Sequence, residues 1–448
     1  MPTNPNVVLV FGDQWRAQAT GYAGNPNVET PHLDRLARES VNFTHAISGC
    51  PVCSPARASL LTGQLPLTHR VIVNDVCLND ESTSLADAFK GAGYDAGYIG
   101  KWHVDGHGRS NYIPPERRQG FDYWKVLECT HDYNNSPYYA CDSEEKLCWE
   151  GYDAIAQTRD AQDYIRDRDG EKPFLLVLSW GPPHAPYHTA PEKYREMYRP
   201  EEIELAPNVP ETHAEIAREQ LAGYYAHCTA LDDCVGDLLD TLDEEGIADD
   251  PIFLFFSDHG DMIGAHGMDK KQKPWEESIR IPFLFRYPGL LGRGGKEVDA
   301  LIDLPDVMPT LLSLCDIPIP DSVEGLDYSA YLQGGEDPSD GSALLTCPHP
   351  FGQWWPGLGG RAYRGLRTQR YTYARVLEGP WLLYDNREDP YQQTNLIGKK
   401  EHRDLLYELD AWLQRRLDAS GDEFLPSVDY IRRWGYKVDE RGTVPYTL

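Results

Sequence analysis

The chain has 448 residues, 42 of them Lys or Arg and 71 Asp or Glu, for a formal net charge of −29. An apolar fraction of 41% is ample for a sizeable core, which excludes a disordered chain. The acidic surplus argues against a nucleic acid or an anionic membrane as partner, since both need a cationic face, but not against a small anion held by a metal or a few clustered cations.

Taken in chain order, the elements alternate. Residues 1–6 are polar and lead into the apolar run 7–11, which ends in Gly12-Asp13-Gln14. That run is too short for a signal-peptide core, and no run approaches the roughly 18 apolar residues of a membrane span. As given, the chain reads as cytoplasmic, and as periplasmic or secreted if a leader has been removed. Thr30-Pro31 opens a helix through Leu33, Leu36 and Ala37, with Thr30 as its cap. Ser54-Pro55 starts a second helix that continues to Leu61 and places Cys53 at its N-terminus, where backbone N–H groups favour an anion. Helical patterns also cover residues 84–90, 153–168 and 213–245. Between them lie Tyr98-Ile99 running into Gly100-Lys101-Trp102-His103, the run 174–178 followed by Pro182-Pro183-His184, and the run 252–256 followed by Ser257-Asp258-His259-Gly260-Asp261.

Continuous apolar runs of this length suit strands buried on both faces. Their alternation with helices predicts an α/β fold with a large, mostly parallel sheet sandwiched by helices, whose ligands sit beyond the carboxyl ends of the strands. The composition changes near residue 335. Residues 1–335 are expected to form the catalytic domain. Residues 336–448, richer in Trp, Tyr and Arg, should form a smaller α+β domain with a short antiparallel sheet, including a strand at 371–376 and a helix at 405–417, and contribute to the substrate pocket.

Cys50-Pro51-Val52-Cys53 admits two readings from spacing alone: a redox pair, or half a zinc site. No second such pair exists to complete a zinc site, and the ten cysteines show no regular framework. Cys53-Ser54-Pro55-Ala56-Arg57 also fits C-x-P-x-R. Around it stand Gly12-Asp13-Gln14, Thr30-Pro31-His32-Leu33-Asp34, Ala58-Ser59-Leu60-Leu61-Thr62-Gly63, Gly100-Lys101-Trp102-His103, Pro183-His184-Ala185-Pro186 and Ser257-Asp258-His259-Gly260. Lys271 with Trp275-Glu276-Glu277-Ser278, Asp306-Val307-Met308-Pro309-Thr310-Leu311, and Leu383-Tyr384-Asp385 with Asn395-Leu396 follow in the same order. Together these segments resemble the formylglycine-dependent sulfatase family, of the alkaline-phosphatase-like superfamily, over nearly the whole chain.

The resemblance implies that Cys53 is oxidised to formylglycine by a formylglycine-generating enzyme and serves as nucleophile. It implies that Asp13, Gln14, Asp258 and His259, with the formylglycine oxygen, hold one divalent cation. Family members often carry Asp where Gln14 stands, and Asn or His at the place of His259. Calcium is the first choice for a mostly oxygen site, with Mg2+ or Mn2+ as alternatives. By the same resemblance Lys101 and Lys271 bind the sulfate oxygens and Arg57 steadies the formylglycine. His184 protonates the leaving oxygen, and His103 takes the proton whose loss expels sulfate. Imidazole can work in either direction near neutrality. His107, Arg109, Trp354, Trp355 and Arg361 are candidates for contacts with the rest of the substrate.

The function expected is therefore hydrolysis of a small sulfated substrate, a sulfated saccharide or an aryl sulfate, by an enzyme that could form a homo-oligomer. One alternative is a phosphonate or phosphate mono- or diester hydrolase, whose members share the start seen here as Asp13-Gln14-Trp15-Arg16 but typically lack the Gly-Lys-Trp-His segment. The other is a binding protein with a dead site, should Cys53 remain a thiol.

Overall fold

The computed structural model describes residues 4–168 and 170–447. Ten strands form one sheet: β1 (Val7–Asp13), β2 (Val41–Phe43), β3 (Asp95–Lys101), β4 (Tyr123–Leu127), β5 (Pro137–Ala140), β6 (Leu147–Cys148), β7 (Phe174–Pro183), β8 (Ile252–Ser257), β9 (Phe283–Arg286) and β10 (Lys296–Val298). Their order is β10-β2-β9-β8-β1-β7-β3-β4-β5-β6. The central five, β8, β1, β7, β3 and β4, are mutually parallel, while β9 and β5 pair antiparallel with their neighbours.

The apolar runs behave as their composition demands. Every residue of β1 is buried. Val7, Leu9 and Phe11 face one core, and Val8 and Val10 face the other. The first core is closed by the helices Cys53–Thr62, Leu85–Gly91 and Val307–Leu314, the second by Pro31–Arg38, Asp153–Asp167 and Ala214–Glu244. A parallel sheet covered on both faces must read as continuous hydrophobic sequence, and this one does.

The cap of the helix Pro31–Arg38 departs from the sequence expectation. The Thr30 hydroxyl accepts from the Gly21 N–H at 2.7 Å and makes no cap bond. Asp232 instead accepts from the N–H groups of His32 and Leu33, at 3.0 and 2.7 Å. A buried carboxylate from the long neighbouring helix has displaced the local cap, satisfying two orphan donors at once.

A second sheet is wholly antiparallel, in the order β11 (Ser342–Cys347), β12 (Tyr363–Thr368), β13 (Tyr371–Val376), β14 (Gly379–Asp385). One face packs with Ile47, Met262 and Trp275 of the first layer. The other receives Leu409, Leu413 and Leu417, spaced at i, i+4 along the helix Arg403–Ser420. Arg367 clamps Glu276 across this junction, Nε and Nη2 donating at 2.7 and 3.1 Å. No helix among the described residues is long and apolar enough to cross a membrane.

Candidate active site

β1, β3, β7 and β8 run in one direction, so Asp13, Lys101, His184 and Asp258-His259 emerge together at one edge. Gly100 permits the approach: its φ is +100°, and a Cβ there would lie 2.1 Å from the Ser179 carbonyl oxygen. The helix Cys53–Thr62 points its first residue at the same edge. Its start is held by Asn74, whose side-chain oxygen accepts from the Ser54 N–H at 3.1 Å.

Asp13, Cys53, Asp258 and His259 offer one ligand atom each within 4.8 Å of one another, and all four are buried. The Cys53 sulfur lies 3.3 Å from His259 Nε2 and 3.6 Å from Asp13 Oδ1. The His259 Nδ1–H donates to the Gly260 carbonyl at 2.9 Å, which leaves Nε2 as the ligand nitrogen. The Gln14 amide nitrogen donates to Asp261, and its Oε1 is buried without a partner. Two carboxylates, an imidazole and a sulfur gathered at one buried point, with an orphaned amide oxygen on the residue next to Asp13, fit a hard cation better than a packed core.

Cations interleave with these acceptors. Lys101 Nζ donates to Asp13 Oδ2 at 2.7 Å, and Lys271 Nζ to the Cys53 sulfur at 3.0 Å. Arg57 reaches Asp13 through Nη2 at 3.1 Å and Asp258 through Nε at 3.2 Å. Its Nη1 donates to the Lys101 carbonyl and to Ser179 Oγ. Burial would raise the Asp13 carboxyl, but Lys101 and Lys271 hold it well below its usual range. Burial, then repulsion from Asp13, pushes Asp258 up to about 6. The Cys53 thiol is held well below its usual value: Lys271, Lys101 and His259 outweigh burial and Asp13. Cys50, three residues earlier, is driven the other way by burial. All ten cysteines are free, so Cys50 and Cys53 form no disulfide.

The histidines differ in setting. His184 is half-buried, donates through Nδ1 to the Ala185 carbonyl at 2.7 Å, and stacks on His131 with ring centres 4.7 Å apart. Burial, with Lys271 next, lowers it well below its ordinary value. His103 is buried, with Nε2 3.6 Å from Asp75 Oδ1. Burial pulls it down, yet Cys129 and Asp75 hold it well above the ordinary value.

The remaining sequence candidates lie apart from this floor. His107 is exposed and donates to the Asp105 carbonyl. Arg109 is tied to Asp75 through both branches of its fork, at 2.8 Å each. Trp354 is buried against Trp275 and Trp381, its indole N–H given to the Arg361 carbonyl; Trp355 is half-buried, and exposed Arg361 lies over Trp381. Asp75, Cys129 and His131 went unnoticed in sequence. Asp75 follows the apolar run 71–73, whereas Cys129 and His131 follow a strand interrupted by Lys125, which gives no continuous apolar signal.

The sulfatase family profile matches residues 5–317, and that of the C-terminal region of N-sulphoglucosamine sulphohydrolase matches residues 264–419. An ulvan-active sulfatase of Formosa agariphila is 48% identical over 99% of this chain and 87% of its own. The crystal structure of the sulfatase yidJ from Bacteroides fragilis superposes with a TM-score of 0.85 at 30% identity, covering 96% of this chain and 98% of that one. A phosphonate monoester hydrolase of Agrobacterium radiobacter shares the fold, with a TM-score of 0.76 at 23% identity over 98% and 99% of the two chains. The chain belongs to the sulfatase family and is a sulfuric ester hydrolase.

Proposed function

We propose that this enzyme cleaves the sulfate ester of a saccharide, with Cys53 converted to formylglycine by a formylglycine-generating enzyme and a calcium ion held by Asp13, Gln14, Asp258 and His259. The observation that carries this reading is the position of Cys53: at a helix start, within reach of His259 and Asp13, with the Lys271 ammonium on its sulfur. The relative at 48% identity is named for ulvan, which supports a saccharide as leaving group. When in place, the cation and the aldehyde supply charge neutralisation and an electrophile that takes up water.

The chain's own residues do the rest. Lys101 and Lys271 hold the sulfate oxygens in a site that excludes water, where fixed charges act strongly. Arg57, buried and bound to both aspartates, keeps the floor from rearranging when charge moves. His184 offers Nε2 to the leaving oxygen, because its Nδ1–H is committed to Ala185. A sulfate anion in the site would raise its proton affinity, opposing the neighbouring cations that now lower it. His103 accepts the proton whose removal lets sulfate depart. The division at residues 335 and 336 fits the start of the second sheet at Ser342.

The test is a panel of 4-nitrophenyl sulfate, sulfated monosaccharides and a phenyl phosphonate ester, assayed on protein shown by mass spectrometry to carry formylglycine. The expected order of kcat/KM puts sulfate esters at least about tenfold ahead, roughly 1.4 kcal/mol. The reverse order would assign the site to phosphonates.

A further inference from the structure

We propose that Asp75 is a positioning residue for His103, and that the C-terminal tail, closing over Arg109 through Tyr446, holds Asp75 to that task. The proposal rests on the reading of His103 as the base. Asp75 Oδ1 stands 3.6 Å from His103 Nε2, longer than a hydrogen bond and short enough to become one when the site is filled. Both residues are buried and both have left-handed backbones, with φ of 65° and 61°. Such conformations persist only where the surroundings over-determine them.

The surroundings are visible. Arg109 donates through Nε and Nη2 to the two oxygens of Asp75, which fixes the plane of the carboxylate. Its guanidinium lies 3.4 Å from the centre of the Tyr446 ring, and its backbone N–H donates to the Thr447 carbonyl at 2.8 Å. After the helix Ser427–Arg433 the described chain forms no further helix or strand. It is tied down at Tyr436, whose hydroxyl donates to the Arg70 carbonyl at 2.7 Å, and at Arg441, whose carbonyl accepts from Gly352. Arg70 belongs to the segment that carries Asp75, so the tail grips both the segment and the Arg that clamps its carboxylate.

A carboxylate opposite Nε2 selects the tautomer with the proton on that nitrogen and leaves Nδ1 free to accept another. With formylglycine in place, Nδ1 would take the hydroxyl proton as the carbon–oxygen bond to sulfate breaks and the O–H electron pair becomes the carbonyl. The groups facing His103 are Asp75 from its loop, Lys101 from the end of β3 two residues earlier, and Glu128 and Cys129 beyond β4. Asp75, itself paired with Arg109, is the carboxylate whose oxygen lies opposite an imidazole nitrogen.

The experiment compares Asp75→Asn, Asp75→Glu, Tyr446→Ala and His103→Ala, all carrying formylglycine, with 4-nitrophenyl sulfate. In Asp75→Asn we expect kcat to fall about tenfold or more with KM little changed. The acid limb of kcat should move to lower pH, because the imidazolium has lost its anionic neighbour. Stopped flow should show one equivalent of 4-nitrophenol released in a burst before slow turnover, as in His103→Ala. Asp75→Glu should recover part of the loss, and Tyr446→Ala should shift the limb the same way by less. An unmoved limb without a burst in Asp75→Asn, while His103→Ala does burst, overturns the positioning role. No burst in His103→Ala removes the base assignment, and this proposal with it. A Tyr446→Ala enzyme identical to wild type removes the tail.

Discussion

The floor of the site and its rim are built on opposite plans. On the floor, Asp13, Arg57, Asp258 and His259 are fully enclosed, and Arg57 alone binds two carboxylates, a carbonyl and a hydroxyl. On the rim, His107 spends its Nδ1–H on the Asp105 carbonyl two residues away, and His107, His131 and Arg361 are exposed. The floor comes from the ends of central strands and the start of a buried helix, the rim from loops. Preorganised charge is what an anion in its transition state requires, and it is costly to assemble from mobile parts. Loops held by few bonds can differ with the leaving group while the floor stays unchanged. Chemistry common to a family therefore belongs to the floor, and substrate choice to the rim.

The sharpest break of this comparison lies within one motif. Cys53→Ala should fold normally and lose about 10³-fold or more in kcat, some 4 kcal/mol, because a methyl side chain offers neither thiol nor hydroxyl to oxidise to an aldehyde. Cys50→Ser should keep most of its activity: Cys50 sits among Cys347, Asp303 and Arg364, away from the cations of the floor. Equal loss in both variants would restore the reading of the two cysteines as a pair.

The next test asks whether the floor holds a cation. Saturating calcium, at about 100 times its dissociation constant, should stabilise chelator-treated protein by about 2.7 kcal/mol in thermal unfolding. Asp258→Asn should lose that stabilisation and about 10²-fold or more in kcat, since one negative ligand is gone and Arg57 keeps a single carboxylate partner. If calcium, magnesium and manganese all leave wild-type unfolding unmoved, the four buried donors are not a metal site.

A smaller effect probes the support of the rim. Glu128 accepts the N–H groups of Asp105 and Gly106 at 2.9 Å each, holding the loop that bears His107. Burial pushes its carboxyl up to about 7, against an ordinary value of 4.5. The folded protein thus keeps a proton that the unfolded chain releases, and stability falls as pH rises from about 4.5 to about 7. Glu128→Gln should flatten that decline, gaining about 1–3 kcal/mol relative to wild type at pH 8 and nothing at pH 4. Parallel pH–stability curves for the two proteins would show that Glu128 takes up its proton alike in the folded and unfolded chain.

The same division governs what could be read from the sequence. Strands buried on both faces advertise themselves as runs such as residues 7–11 and 252–256, and the residues at their ends, Asp13, Lys101, His184 and Asp258-His259, can be read off with them. Strands β6 and β10, of two and three residues with charged or exposed members, carry no such signal. The pairing of Arg109 with Asp75 and Tyr446 was equally hidden, because loop partners far apart in sequence leave no period to read. Thr30 shows the converse error: a good local cap was overruled by Asp232, a tertiary partner.

The smallest effect belongs to Arg361, and it decides whether the residues around the antiparallel sheet take part in substrate choice. Its guanidinium lies 5.4 Å from the Trp381 ring centre, an exposed cation–π contact worth about 0.5–1 kcal/mol. The bond it accepts from Trp354 uses its backbone carbonyl, which any residue would supply. Arg361→Ala should therefore lower stability by no more than about 1 kcal/mol and leave turnover of 4-nitrophenyl sulfate within about twofold, since that substrate needs only the floor. A sulfated saccharide extends past the floor, and for it kcat/KM should fall about fivefold, near 1 kcal/mol. Loss for the saccharide alone would place Arg361 on the rim as a specificity residue, and equal loss for both substrates would tie it to the chemistry below. With no loss for either, the Trp354, Trp381 and Arg361 cluster would be packing between the two sheets, and discrimination would rest with His107, His131 and their loops.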